Sequence, residues 1–128
     1  MLLIDDDKFV NFYNKKILKK HNPSNTITSV NSGAKALKHL QDAMDGLVEK
    51  PSIIFLDINM PAMNGWEFIE AYNKINPEFT FDIKIVMLTT SSNPEDQERA
   101  IKSSLIDDFI NKPLSLKILH NTLKGFKV

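Results

Sequence analysis

Cysteine is absent from the 128-residue chain. That excludes a disulfide-stapled scaffold and any zinc or redox chemistry that runs through a thiolate. Histidine is scarce, and His21, His39 and His120 show no metal-ligand spacing. No apolar run approaches a membrane span, and Met1-Leu2-Leu3-Ile4 meets Asp5 too soon for a secretory leader. Excess charge of either sign is also missing, with 16 basic against 16 acidic side chains. A broad electrostatic grip on nucleic acid or on an anionic membrane is therefore not expected. Arg99 is the lone arginine, and the lysines read as a solvated surface rather than a DNA-binding face. What is present is 42% hydrophobic and 25% charged, the composition of an ordinary globular domain. One domain of this length buries roughly two-thirds of its unfolded surface. A cytoplasmic protein is expected, with residues 1–128 forming a single domain and no attached effector. The even charge balance is broken locally at Asp5-Asp6-Asp7.

Apolar periodicity alternates between strand and helix along the whole chain. Leu2-Leu3-Ile4 reads as a short buried strand that stops at the three aspartates. Over residues 8–21, Phe9, Tyr13 and Ile17 recur four apart with Val10, Asn14 and Leu18 beside them, which predicts a helix with that face inward. Thr26 to Val30 is rich in β-formers and reads as the second strand. From Gly33, the residues Leu37, Leu40, Met44, Leu47 and Val48 keep helical spacing up to Pro51, while Gly46 either ends that helix early or only weakens it. Ile53-Ile54-Phe55-Leu56 is the clearest strand and ends at Asp57. A turn-rich loop follows, then a helix that turns Phe68, Ile69, Tyr72 and Ile75 inward and closes at Pro77. Ile83 to Leu88 reads as strand, Asn93 and Pro94 as the cap and first residue of the next helix. Phe109-Ile110 is a last strand, and Ser115 caps a final helix carrying Leu116, Leu119 and Leu123. Five strands, apolar on both faces, alternate with five helices. The pattern predicts an α/β fold, a parallel sheet covered on both sides by helices.

Ligands of open α/β sheets bind beyond the carboxyl ends of the strands. The residues that follow each strand here are Asp5-Asp6-Asp7, Asp57, Thr89-Thr90-Ser91 and Lys112. Taken singly, each has a bland explanation: a helix cap, a loop aspartate, a turn, a solvated lysine. Jointly they place several carboxylates, a hydroxyl and one ammonium on one edge. Converging carboxylates raise each other's pKa unless a cation sits among them. Oxygen ligands without histidine or cysteine suit Mg²⁺. An aspartate in such a place either binds a phosphate-bearing ligand through the metal or is itself the nucleophile that becomes phosphorylated.

Four stretches, LLIDDD at 2–7, IIFLDINMPAMNG at 53–65, IVMLTTS at 85–91 and FINKP at 109–113, occur in the order and on the elements of a known family. The chain resembles the receiver domain of bacterial two-component response regulators, and most closely the stand-alone, chemotaxis-protein-like receivers. The resemblance implies a doubly wound, flavodoxin-like sheet of order 2-1-3-4-5. By position it implies Asp57 as the phosphoacceptor for a phosphohistidine, and Asp5, Asp6, Asp57 and the backbone carbonyl of Asn59 as the Mg²⁺ site. Thr89 then matches the switch hydroxyl, Lys112 the lysine that pairs with phosphoryl oxygens, and Phe109 the switch aromatic. Asp57, Lys112 and Thr89 are the residues expected to carry the chemistry. A cis Lys112-Pro113 bond is implied as well, and Ser91 falls where the family tunes dephosphorylation. The implied partners are a sensor histidine kinase or histidine phosphotransfer protein, and a downstream protein bound by the face of the fourth helix, fifth strand and fifth helix. No contact with nucleic acid or membrane is expected, and the domain is expected to be a monomer or weak homodimer.

Three other readings compete. A haloacid-dehalogenase-like Mg²⁺ phosphatase also has a nucleophilic aspartate after a strand, but requires a second aspartate two residues on, where this chain has Asn59. A flavodoxin-like flavin binder must cradle a phosphate at the first loop, which Asp5-Asp6-Asp7 would repel. A receiver-shaped interaction module without phosphorylation would have no need of the acidic residues and lysine together.

Overall fold

The computed structural model describes residues 1–90 and 93–126. Five strands form one parallel sheet in the order β2-β1-β3-β4-β5. They are β1 (Leu2–Ile4), β2 (Thr28–Val30), β3 (Ile53–Asp57), β4 (Lys84–Thr89) and β5 (Asp108–Asn111). Six helices connect them: α1 (Lys8–His21), α2 (Gly33–Met44), α3 (Gly65–Tyr72), α4 (Pro77–Thr80), α5 (Pro94–Lys102) and α6 (Leu116–Gly125).

Alternation of side chains along each strand divides the core in two. Leu2, Ile4, Ile54, Leu56, Ile85 and Met87 face one side, where Ala36, Leu40, Phe68, Tyr72 and Ala100 from α2, α3 and α5 cover them. Leu3, Phe55, Val86 and Leu88 face the other, against Leu18 of α1 and Leu119 of α6. A sheet buried on both faces needs strands without polar alternation, which is why the short apolar runs were readable as strands. Helix starts follow local chemistry. The Asp7, Ser32, Asn93 and Ser115 side chains each accept from a backbone N–H of the helix they precede.

Four expectations are corrected or decided. First, α1 is rotated by part of a turn: Asn14 and Leu18 are buried as expected and Asn11 joins them, whereas Phe9 is 73% exposed and Tyr13 is also exposed. Asn11 turns inward because backbone carbonyls at the β1 and β2 ends accept from its amide, as described below. Second, of the two outcomes left open at Gly46 the early end is the one observed: α2 stops at Met44, where Gly46 adopts φ +77 and takes the chain out of helix. Leu47 and Val48 are consequently exposed rather than part of its inner face. Third, Pro77 opens the one-turn α4 instead of only closing α3, with the Asn76 side chain accepting from Glu78 N. Asn-Pro there repeats the start signal of Asn93-Pro94, so the helices among the described residues number six. Fourth, β2 begins at Thr28, not Thr26, since its sole sheet partner β1 offers three residues to pair with.

Tyr72 is 2% exposed, and its hydroxyl has no partner among the described residues. Burial first, then the charges of Asp107 and Asp82, push its pKa up to about 12. An unpaired buried hydroxyl costs stability. Tyr72→Phe is expected to leave the fold unchanged and raise unfolding free energy by about 1 kcal/mol at pH 7. A folded pKa above the unfolded value near 10 means that ionisation favours the unfolded chain. The variant's margin over wild type should therefore widen as pH rises from about 10. Urea titrations at neutral and alkaline pH test this, and a loss of stability in the variant at pH 7 would show that the hydroxyl is in fact bonded.

Candidate functional site

All five strands run the same way, so their carboxyl ends share one edge. Register decides which residues meet there. Ile4 lies opposite Leu56, Asp57 opposite Leu88, and Thr89 opposite Asn111. The next residue of β1 is Asp5 and the next of β5 is Lys112. Backbone bonds carry the pairing one step further at both places, from Asp5 N to the Val30 carbonyl (3.2 Å) and from Lys112 N to the Thr89 carbonyl (2.8 Å). Chain segments more than a hundred residues apart thus deliver their charged side chains to one point.

Carboxylate oxygens of Asp5, Asp6 and Asp57 lie within 4.8 Å of one another. Asp5 and Asp57 are 4% and 6% exposed, while Asp6 faces solvent. The Lys112 ammonium bridges the buried pair, 2.6 Å from Asp5 Oδ2 and 3.2 Å from Asp57 Oδ1. Asp5 Oδ1 accepts from Asp7 N at 2.9 Å. Burial and the neighbouring Asp5 charge push the Asp57 carboxyl above the usual aspartate range, against the pull of Lys112. Burial alone would lower the pKa of Lys112, but its hydrogen bond to Asp5 and the charges of Asp57 and Asp5 outweigh that and raise it. Three carboxylates face one ammonium, so the fully ionised cluster carries a local deficit of positive charge. An all-oxygen donor set with such a deficit fits a hard divalent cation of the Mg²⁺ type, and Asp5, Asp6 and Asp57 are the residues that would hold it.

The other expected residues surround this cluster rather than join it. Thr89 is fully buried at the end of the adjacent strand β4. Asn59 sits exposed in the loop after β3. Phe109 is half-buried on β5 and packs with the core under α5. The Lys112–Pro113 peptide is cis. Ser91 lies outside the described residues.

Several contributors went unread in the sequence. Gly65 follows the turn, and Gly65 N donates to the Ile58 carbonyl at 2.8 Å. A Cβ on it would stand 2.6 Å from the Asp57 carbonyl oxygen. Its lack of a side chain thus serves close approach to the acidic strand end. The turn's positive φ falls on Ala62, and Asn64 caps α3 in a reciprocal pair with Glu67. Trp66, next in line, donates from Nε1 to Asp96 Oδ1 (3.1 Å) and carries the Arg99 guanidinium over its ring (4.4 Å), tying α3 to α5. On α1, the Asn11 amide nitrogen donates to the carbonyls of Asp5 (2.9 Å) and Val30 (3.3 Å). The signal was present as Asn11, Asn14 and Leu18 at helical spacing, but the aromatic series masked it.

The family model for the response regulator receiver domain matches residues 1–124. The chain is 30% identical over 130 residues to the response regulator Rcp1 of Synechocystis, spanning 99% of this chain and 85% of that protein. It is 26% identical over 126 residues to the transcriptional regulatory protein CitT of Halalkalibacterium halodurans, spanning 98% of this chain but only 51% of CitT, about half its length. A two-component response regulator from Cytophaga hutchinsonii superposes with a TM-score of 0.88 at 36% identity, over 98% of this chain and 93% of that one.

Because Asp57 is harder to ionise in the folded protein than in the unfolded chain, its negative charge works against folding at neutral pH. That penalty is absent below the ordinary aspartate pKa of about 4 and grows as pH rises through the higher folded value. Asp57→Asn is therefore expected to melt at higher temperature than wild type at pH 7 and to lose the advantage in acid. Melting curves across that range test the sign. A variant less stable than wild type at pH 7 would mean that Lys112 outweighs burial.

Proposed function

The chain belongs to the response regulator receiver family, and on that premise we propose that it is the phosphoacceptor of a two-component relay, phosphorylated on Asp57. The observation that carries this reading is the Lys112 ammonium held between the two buried carboxylates at the sheet edge. A carboxylate oxygen of Asp57 attacks the phosphorus of a phosphohistidine on a sensor histidine kinase or histidine phosphotransfer protein. The new P–O bond forms as the P–N bond breaks, and the imidazole nitrogen keeps the electron pair and takes up a proton. Mg²⁺, held by Asp5, Asp6, Asp57 and the Asn59 carbonyl, would supply positive charge that stabilises the in-line transfer. Lys112 already reaches an Asp57 oxygen and needs only a small shift to contact the phosphoryl oxygens. The domain thus acts on itself and turns over no external substrate.

Phosphorylation adds most of two negative charges and three acceptor oxygens to the pocket. Thr89, at the neighbouring strand end, donates its hydroxyl to the phosphoryl group. The movement frees space for Phe109, whose two positions differ by packing alone because it has no hydroxyl. The numbering of the output face shifts by one with the extra helix: it is α5–β5–α6, where Ile101 and Leu116 are exposed. A protein donor is supported by the surface beside the pocket. Phe9, Val10 and Tyr13 of α1 with Thr90, Lys112 and Pro113 line a shallow, mostly apolar hollow. Among the described residues no helix is long and apolar enough to cross a membrane; we take the domain to work in the cytoplasm, as monomer or weak dimer.

Incubation with acetyl phosphate and MgCl₂ is expected to add one phosphoryl group, seen in the intact mass. Asp57→Asn should abolish the adduct, and Lys112→Ala should slow its formation about 100-fold, the scale of losing one charge-stabilising donor. No adduct on wild type, or one that survives Asp57→Asn, would overturn the assignment.

A further inference from the structure

The inward face of α1 presents a problem that folding alone does not explain. Helices on this side of the sheet bury apolar residues such as Leu18 and Leu119. Yet two turns of α1 bury Asn11 and Asn14 instead, at 7% and 3% exposure. Asn11 Nδ2 faces the carbonyls of Asp5 and Val30. Both partners are acceptors, so the nitrogen must be the atom that points at them. That orientation leaves Asn11 Oδ1 buried with no partner among the described residues. A leucine would fill similar space without an unpaired oxygen.

What the asparagine does achieve is a three-way tie at the strand ends. The Val30 carbonyl accepts from both Asp5 N (3.2 Å) and Asn11 Nδ2 (3.3 Å), while the Asp5 carbonyl accepts from the same amide. The β1 end, the β2 end and the first turn of α1 are thereby locked together around Asp5. Its carboxylate is fixed at both oxygens, by Asp7 N and by Lys112. The backbone that carries it is fixed by Asn11. Asn14 completes the polar lining, bordering Asp5 and Asp57 on one side and Lys112 on another.

We propose that Asn11 is a positioning residue for the cation site: by holding the Asp5 backbone against β2, it sets where the Asp5 carboxylate stands relative to Asp57. The inference rests on the reading of Asp5, Asp6 and Asp57 as Mg²⁺ ligands and adds a residue outside them. Groups that orient metal ligands commonly change affinity by about 10- to 100-fold when removed. Because Oδ1 is unpaired, removing the whole amide relieves one penalty as it gives up two hydrogen bonds. Stability and metal affinity should therefore separate.

The test is an amide-resolved NMR titration with MgCl₂ on wild type and Asn11→Leu, with a thermal melt of each. The expected result is Mg²⁺ binding about tenfold weaker in the variant at an unchanged or higher melting temperature. Equal Mg²⁺ affinity in the two proteins overturns the proposal, and a lower melting temperature with equal affinity assigns Asn11 a structural role only. Should Asn11→Leu fail to fold, Asn11→Ala is measured the same way and judged by the same criterion. A wild type whose Asp5 and Asp57 amides do not respond to MgCl₂ removes the metal reading itself, and the proposal with it.

Discussion

The Lys112 ammonium, lodged between Asp5 and Asp57, is the contact on which the rest of the site depends. Two aspartates that are almost wholly buried and share one pocket oppose each other's ionisation. Lys112 makes their coexistence tolerable without cancelling it, and the raised pKa of Asp57 is what is left over. Residues 5, 57 and 112 reach one point because β1, β3, β4 and β5 run in parallel and in register. Apolar strands buried on both faces are in turn what make that sheet stable. The sequence of causes runs from apolar runs to parallel strands, from strands to a shared edge, and from the edge to an under-neutralised acidic pocket.

That logic also explains what could be read before any coordinates. The strands announced themselves because a sheet covered on both faces leaves no polar alternation to confuse with surface. Asn93-Pro94 and Ser115 announced their helices because caps act on neighbours within three residues. The acidic pocket was legible as the set of polar residues that follow strands, without knowledge of any distance between them. Its bridging lysine geometry was not, since one ammonium between two carboxylates is set by side-chain reach across strands.

The misread parts share a cause. On α1, Phe9, Tyr13 and Ile17 form the more hydrophobic stripe, so periodicity centred the inward face on them rather than on Asn11, Asn14 and Leu18. The observed face carries Asn11 because its amide donates to the carbonyls of Asp5 and Val30, a tertiary demand invisible to a hydrophobicity count. The displaced aromatics then lie beside the pocket mouth, next to Pro113 and Lys112. One rotation thus gives α1 a polar inside at the acidic loop and an apolar outside at the pocket mouth. Gly65 went unread for a similar reason: what requires it is the 2.6 Å distance a Cβ there would have from the Asp57 carbonyl oxygen, a tertiary contact. That approach places Trp66, with its contacts to Asp96 and Arg99, next to the residue that packs on the Asp57 strand end.

The central claim is that Lys112 holds a place between the carboxylates until a cation takes over its charge there and a phosphoryl group draws the ammonium to itself. A crystal structure grown with MgCl₂ and beryllium fluoride tests it most directly. The account predicts a fluoride adduct on Asp57, a metal ion touching Asp5 and Asp57, and the Lys112 ammonium moved from Asp5 onto the fluoride. An Asp57 without adduct or ion, with Lys112 still bridging both carboxylates, would contradict it.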